Sequence, residues 1–392
     1  MTEILTPTHI QETGLSMVIT DPLISTSRGA YHINTKIISY GHQKLADGGD
    51  WSANITMLVP LEEVEEWFEK GVGRHVEIYN QSLARRFSGF VNNITIQAGG
   101  VSVSRGPMMD IGNKVIVSYA PVSYDEYPPS VGATTQTTAA NDTVSQGMYG
   151  IIKKFLSGGN CTDAEAELVR DTYLAENSYP STSGSLSLTP GSGESGVITL
   201  DILGYVHFLK VYAYNTTVAG IIDVSVKIIN ALTANPNAVL DTSYSKISSN
   251  TQDVGNAEDR DRMAYDVITG LVGLGDGLNN RCIFGVDSDR YPYYRVIPTV
   301  LKYEHNITDE EQRMMLADSG EIVYPWDIDA GEWLHIPDFL PGMTPAATVK
   351  SDPRNRFLES VDYTAPYTVN LSGGKTDRLS KMLAKLNMSG GF

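Results

Sequence analysis

The run Trp51-Ser52-Ala53-Asn54-Ile55-Thr56-Met57-Leu58-Val59-Pro60-Leu61-Glu62-Glu63-Val64-Glu65-Glu66-Trp67-Phe68 changes its period halfway along. Trp51, Ala53, Ile55, Met57 and Val59 alternate with Ser52, Asn54 and Thr56, the pattern of a half-buried strand. From Pro60 the apolar residues fall at helical spacing instead. Pro60 sits where a missing N–H costs nothing, Glu62 and Glu63 favour the positive end of a helix dipole, and Leu61, Val64, Trp67 and Phe68 share one face. Gly71 and Gly73 end the helix. His75–Tyr79, Arg86–Ile96, Val101–Ser104 and Lys114–Tyr119 then read as strands, broken at Asn80-Gln81, Gly99-Gly100 and Gly106-Pro107. A lone helix of about 10 residues cannot enclose a core, so it is expected to plug one end of a small barrel or sandwich.

This order of strand, helix and meander resembles the barrel domain shared by phage tail tubes, distal tail proteins and baseplate or tail hub proteins. The residues that carry the resemblance are Gly73-Arg74-His75-Val76-Glu77-Ile78-Tyr79 and Phe87-Ser88-Gly89-Phe90-Val91, which follow that family's strand motifs. It covers about a third of the chain. A second stretch resembles another such barrel. It runs through Val323-Tyr324-Pro325-Trp326, Gly331-Glu332-Trp333, Leu340-Pro341-Gly342 and Phe357-Leu358-Glu359-Ser360-Val361-Asp362-Tyr363. The fold expected is α+β and β-rich: two small tail-tube-like β-barrels bridged by a mixed α/β middle domain. In such hubs two barrels per chain let a trimer present pseudo-sixfold symmetry to a sixfold tube.

With 392 residues the chain is long enough for two or three cores. Its formal charge is -17 with only 29 Lys and Arg, so it lacks the clustered cations of a protein that clamps phosphate. An acidic wall still suits a conduit through which DNA slides in passing, and acidity equally aids solubility. Met1-Thr2-Glu3-Ile4-Leu5-Thr6-Pro7 has neither the basic nor the apolar region of a signal peptide. No apolar run reaches the length of a membrane span, so no membrane anchor is expected. Cys161 and Cys282 stand in unrelated contexts and read as structural thiols.

Taken in order, residues 1–122 form the expected first barrel, with further strands at Ser16–Ile19 and His32–Tyr40. The Ser-, Thr- and Ala-rich residues 123–147 read as a linker or long surface loop. Residues 148–285 form the mixed middle domain. There Thr162 and Glu165 predict a capping box that opens a helix over 163–177, and Val197–Tyr214 reads as two strands about Gly204. Helical stripes follow over 221–232 and from Asp253 or Asn256 to Leu274. Residues 286–374 form the second barrel. Residues 375–392 hold a basic amphipathic helix, with Leu379, Met382, Leu383 and Leu386 on one face beside Lys381 and Lys385. It is expected to dock on its own barrel, to plug or dock on an acidic neighbouring subunit or the tape-measure protein, or to lie on a membrane surface.

Catalytic motifs are missing from the sequence: there is no nucleophile elbow, phosphate loop or zinc-binding histidine pair, and no catalytic, cofactor or metal site is assigned. Asp327-x-Asp329-x-Gly331-Glu332 begins like a calcium loop but then loses the register, and it reads as a turn, as does Asp287-x-Asp289. Glu62, Glu63, Glu65 and Glu66 read as a solvated helix face. A spatially close carboxylate pair is not visible in a sequence. The function expected is that of a non-enzymatic virion protein, a tail-tip or baseplate hub, made in the host cytoplasm. Its expected partners are its own copies, as a trimer before a hexamer, the tail tube, distal tail and tape-measure proteins, and fibre or receptor-binding subunits. The alternatives are a hexameric distal tail or adaptor ring and a tail-associated cell-wall hydrolase.

Overall fold

The computed structural model describes residues 8–10, 13–23, 36–125, 127–184, 195–214, 220–256, 262–276, 278, 280–306, 313–344, 346–366, 368–373 and 390–391. The expected basic helix, with Leu379, Lys381, Met382, Leu383, Lys385 and Leu386, lies outside the described residues.

The strands of the opening motif are β1 (Ser16–Thr20), β2 (Lys36–Leu45), β3 (Gly48–Pro60), β4 (His75–Tyr79), β5 (Arg85–Ala98) and β6 (Val101–Arg105). Helix α1 (Leu61–Lys70) stands between β3 and β4. In β3 the inward positions Ala53, Ile55, Met57 and Val59 are buried, as the alternation requires. Beyond this motif lie β7 (Lys114–Ser123), α2 (Thr143–Tyr149), β8 (Lys153–Cys161), α3 (Asp163–Asn177) and β9 (Ser195–Gly204). The last part contains α4 (Val224–Thr233), α5 (Ala264–Val272), β10 (Cys282–Val286), β11 (Pro292–Val296), β12 (Trp333–His335), β13 (Asn355–Thr364) and β14 (Thr368–Gly373).

The fold is α+β and rich in β-structure, organised by one large sheet. Its path is β1–β4–β5–β9–β3–β2–β13–β14. Strand β9 comes from the middle of the chain yet lies between β3 and β5. Its inward residues Ile198, Leu200 and Ile202 join the same core as Ile55, Met57, Ile94 and Ile96.

The expected pair of barrels is corrected: among the described residues the sheet curls but does not close. A single parallel bridge from Ile10 to Ile37 brings its first edge back toward β2. Farther along β2, residues Gly41–Leu45 pair instead with Thr364–Ser360 of β13. The outer edge of β2 is thus partly taken by the C-terminal part of the chain, whose strands extend the first sheet. Those strands still enclose a core of their own, with Tyr303, Met314, Ile328, Leu334, Ile336, Leu358, Val361 and Val369.

Other readings change for local reasons. After Gly204 the chain turns into a 3-10 helix, Tyr205–Lys210, in place of a second strand. A Cβ on Gly204 would fall 1.8 Å from the Asp50 carbonyl oxygen, so only glycine allows this crossing. Ile221–Asp223 and Asp253–Gly255 pair as a two-stranded ribbon, so α4 and α5 start later than their apolar stripes imply. The stretch read as a linker is exposed, yet Ser130–Val131, Thr135–Gln136 and Ala140–Asn141 run back along β7. Asp142 caps α2 by accepting from Ser145 N–H. Leu156-Ser157-Gly158-Gly159 forms a bulged part of β8, parallel to β7. Helix α3 covers this small sheet with Ala166 against Val117 and Tyr119, and its capping box forms between Thr162 and Glu165.

Candidate functional site

Helix α1 places Leu61, Val64 and Trp67 in the main core, fully or nearly fully buried, while Phe68 is partly buried against it. The Arg74 guanidinium lies 5.5 Å from the Trp67 ring and that of Arg105 lies 5.9 Å from Phe68. Glu62, Glu63, Glu65 and Glu66, together with Glu69, stay at the half-exposed or exposed positions of α1.

A strongly charged cleft of about 560 Å³ is built together by three distant parts of the chain. Strands β2, β3 and β5 supply Lys44, Asp50, Arg85 and Arg86, the β10–β11 hairpin supplies Asp287, Ser288, Asp289, Tyr293 and Arg295, and the C-terminal part supplies Asp329 and Glu332. The two acidic turns of the sequence therefore meet here. Neither is isolated: Asp287 Oδ1 accepts from the N–H groups of Asp289 and Tyr291, and its Oδ2 accepts from Lys246 Nζ at 2.5 Å. Asp289 accepts from Arg85 Nη1 at 2.8 Å. Asp327 accepts from Arg86 Nε at 2.5 Å and Asn80 Nδ2 at 3.0 Å. Asp329 accepts from Lys44 Nζ at 2.9 Å and Lys302 Nζ at 3.4 Å, and Glu332 from Arg295 at 2.8 Å.

Electrostatics sort these carboxylates. Burial opposes the charge of Asp329, but Lys44, Lys302 and Arg86 outweigh it and hold the group well below the usual carboxylate range. Burial likewise opposes the Lys44 ammonium, and Asp329 and Asp50 keep it above its ordinary value. Asp50 is the exception. It is 3% exposed, and burial dominates Lys44 and the donors Ser88 N–H (2.8 Å) and Ser288 Oγ (3.2 Å), pushing its carboxyl up to about 7. Next to the cleft, burial would raise Glu77, but His75, Tyr79 and Arg85 overcome it and bring that carboxyl down to about 2. His75 Nδ1 also meets the Tyr205 hydroxyl at 2.7 Å.

Sequence reasoning found the two acidic turns and missed what they join. Tyr40, His42 and Lys44 occupy alternate positions of β2, all on the buried face. A lysine in phase with buried aromatics was the available signal that a buried carboxylate partner lies opposite. No group of His, Cys, Asp and Glu suited to a metal ion occurs among the described residues. Among the same residues no helix is long and apolar enough to cross a membrane.

The sheet and cleft define a β-rich α+β protein whose N- and C-terminal parts are cross-linked by buried charge. No family model and no curated protein matches the chain. Among solved structures it is similar to a 43 kDa tail protein of prophage MuSo2 from Shewanella oneidensis. That likeness has 8% identity and a TM-score of 0.38, and covers 89% of this chain and 92% of the other. It is also similar to a tail protein from Neisseria meningitidis MC58, with 7% identity, a TM-score of 0.41, and 90% and 92% coverage.

Proposed function

We propose that this chain is a structural protein of a bacteriophage tail, a hub at the tail tip or baseplate that continues or closes the tail tube. The observation that carries this reading is the seating of α1. A strand leads into one short helix whose Trp67 is fully buried, followed by a meander that bears the residues resembling the tube-forming domains. The cleft supports a structural role as well. Lys44, Arg85, Arg86, Lys246 and Arg295 each lie against a carboxylate, so its charge holds chain segments together.

In this role the protein forms a closed ring, three copies before six, and binds the tube and distal tail proteins on one side. It anchors fibre or receptor-binding subunits and meets the tape-measure protein, and DNA passes it only during delivery. Antibody labelling of intact phage particles tests the placement: label confined to the tail end supports it, and label on the capsid or none on the particle refutes it. A zymogram on host envelope addresses the hydrolase alternative, and clearing abolished by one carboxylate substitution would overturn a purely structural role.

A further inference from the structure

We propose that Asp50 is a proton-operated latch on the seam between the large sheet and the segment 325–336: its neutral form leaves Lys44 to Asp329, and its ionised form competes for Lys44 and loosens the segment.

The geometry assigns each part. Asp50, near the start of β3 and paired across the ladder with Lys44 of β2, lines the cleft where the sheet meets the β10–β11 hairpin. Its carboxyl bridges Ser88 N–H on β5 and Ser288 Oγ in the hairpin turn, yet no cation lies within ion-pair distance of it among the described residues. The buried ammonium beside it, Lys44, is bonded to Asp329 at 2.9 Å. Asp329 in turn heads the stretch that fixes the C-terminal part: its N–H donates to the Tyr303 hydroxyl and Gly331 N–H donates to Leu358 O.

The cleft around Asp50 holds three ion pairs that do not include it, Arg85–Asp289, Lys246–Asp287 and Arg295–Glu332. Strand β2 contributes Lys44, Tyr40 and a His42 that burial keeps neutral, and β5 contributes Arg86, already bonded to Asp327. The hairpin contributes Tyr293, and the C-terminal part contributes Asp329. Lys44 alone can change partners between two carboxylates without leaving the interior. The cleft gives water a route by which the Asp50 proton leaves. With its carboxyl pushed up to about 7, Asp50 passes from mostly neutral to mostly ionised between mildly acidic and mildly alkaline media. Because that value is raised, the protonated form favours the closed seam, and the contribution is lost as pH rises through about 7.

The test is hydrogen–deuterium exchange of the full chain at pH 6 and pH 8, corrected for intrinsic exchange and followed over residues 325–336. Release of one proton on opening predicts exchange there roughly tenfold faster at pH 8, with β3 and β9 unchanged. Asp50→Asn keeps the slow rate at both pH values. Should that variant fail to fold, Ser288→Ala, which removes a donor to the carboxylate, moves the midpoint of the wild-type transition to higher pH. Equal corrected rates in the wild type at the two pH values overturn the proposal. So does the same acceleration in Asp50→Asn, or an unmoved midpoint in Ser288→Ala.

Discussion

Removing the indole of Trp67 is the sharpest structural test of how α1 is held. Trp67 has no exposed surface, and the residues of α1 that share its face, Leu61 and Val64, lie in the same core. An aromatic side chain of this kind buries about 150–250 Å², and at about 25 cal/mol per Å² the transfer contribution is roughly 5 kcal/mol. Extended-chain references overstate burial, while the cavity left behind adds to the loss, so Trp67→Ala is expected to cost about 3–5 kcal/mol. Urea unfolding followed by tryptophan-independent far-UV circular dichroism measures this, with hydrogen exchange over residues 75–98 to locate it. The expected result is a lowered first transition and faster exchange in β4 and β5. A loss below about 1 kcal/mol with unchanged protection would refute the reasoning, because a well-seated aromatic cannot be removed so cheaply.

Three further outcomes follow from the same geometry. Glu77, held down to about 2 by His75, Tyr79 and Arg85, adds stability that is present above its unfolded value near 4.5 and lost as pH falls toward 2. Glu77→Gln should flatten that acid branch and cost up to about 3 kcal/mol at pH 7, read from unfolding curves across pH 2–7. Gly49→Ala should open the junction of β3 and β10 at a cost of about 2 kcal/mol or more, because its φ is +75° and a Cβ would fall 2.0 Å from the Val286 carbonyl oxygen. Exchange over 282–296 measures it. Thr162→Ala, which breaks the capping box of α3, should cost about 1 kcal/mol and speed exchange in residues 163–168 only.

The parts of this fold that the sequence makes legible are those fixed by local periodicity. Alternation in Trp51–Val59 and the stripe Leu61, Val64, Trp67 need only near neighbours to be read, and so does the Thr162–Glu165 cap. Long-range pairing has no such signal. Strand β9 reads as any half-buried strand, and nothing in it tells that β3 and β5 lie on either side. Among the described residues no barrel closes: part of the β2 edge pairs with β13, more than 300 residues away, a choice made by topology and not by local pattern. The same separation hid the cleft. Lys44 and Asp329 are 285 residues apart, and the Asp287 turn bonds its own backbone, so neither acidic turn shows its distant partner in the sequence.

A reconstruction of purified phage tails that resolves this chain tests the central claim most directly. The account predicts a closed ring, three copies first and six second, at the far end of the tail tube, with α1 seated against its own sheet in every copy. A chain missing from the tail, or present only as a solitary subunit outside any ring, would contradict it.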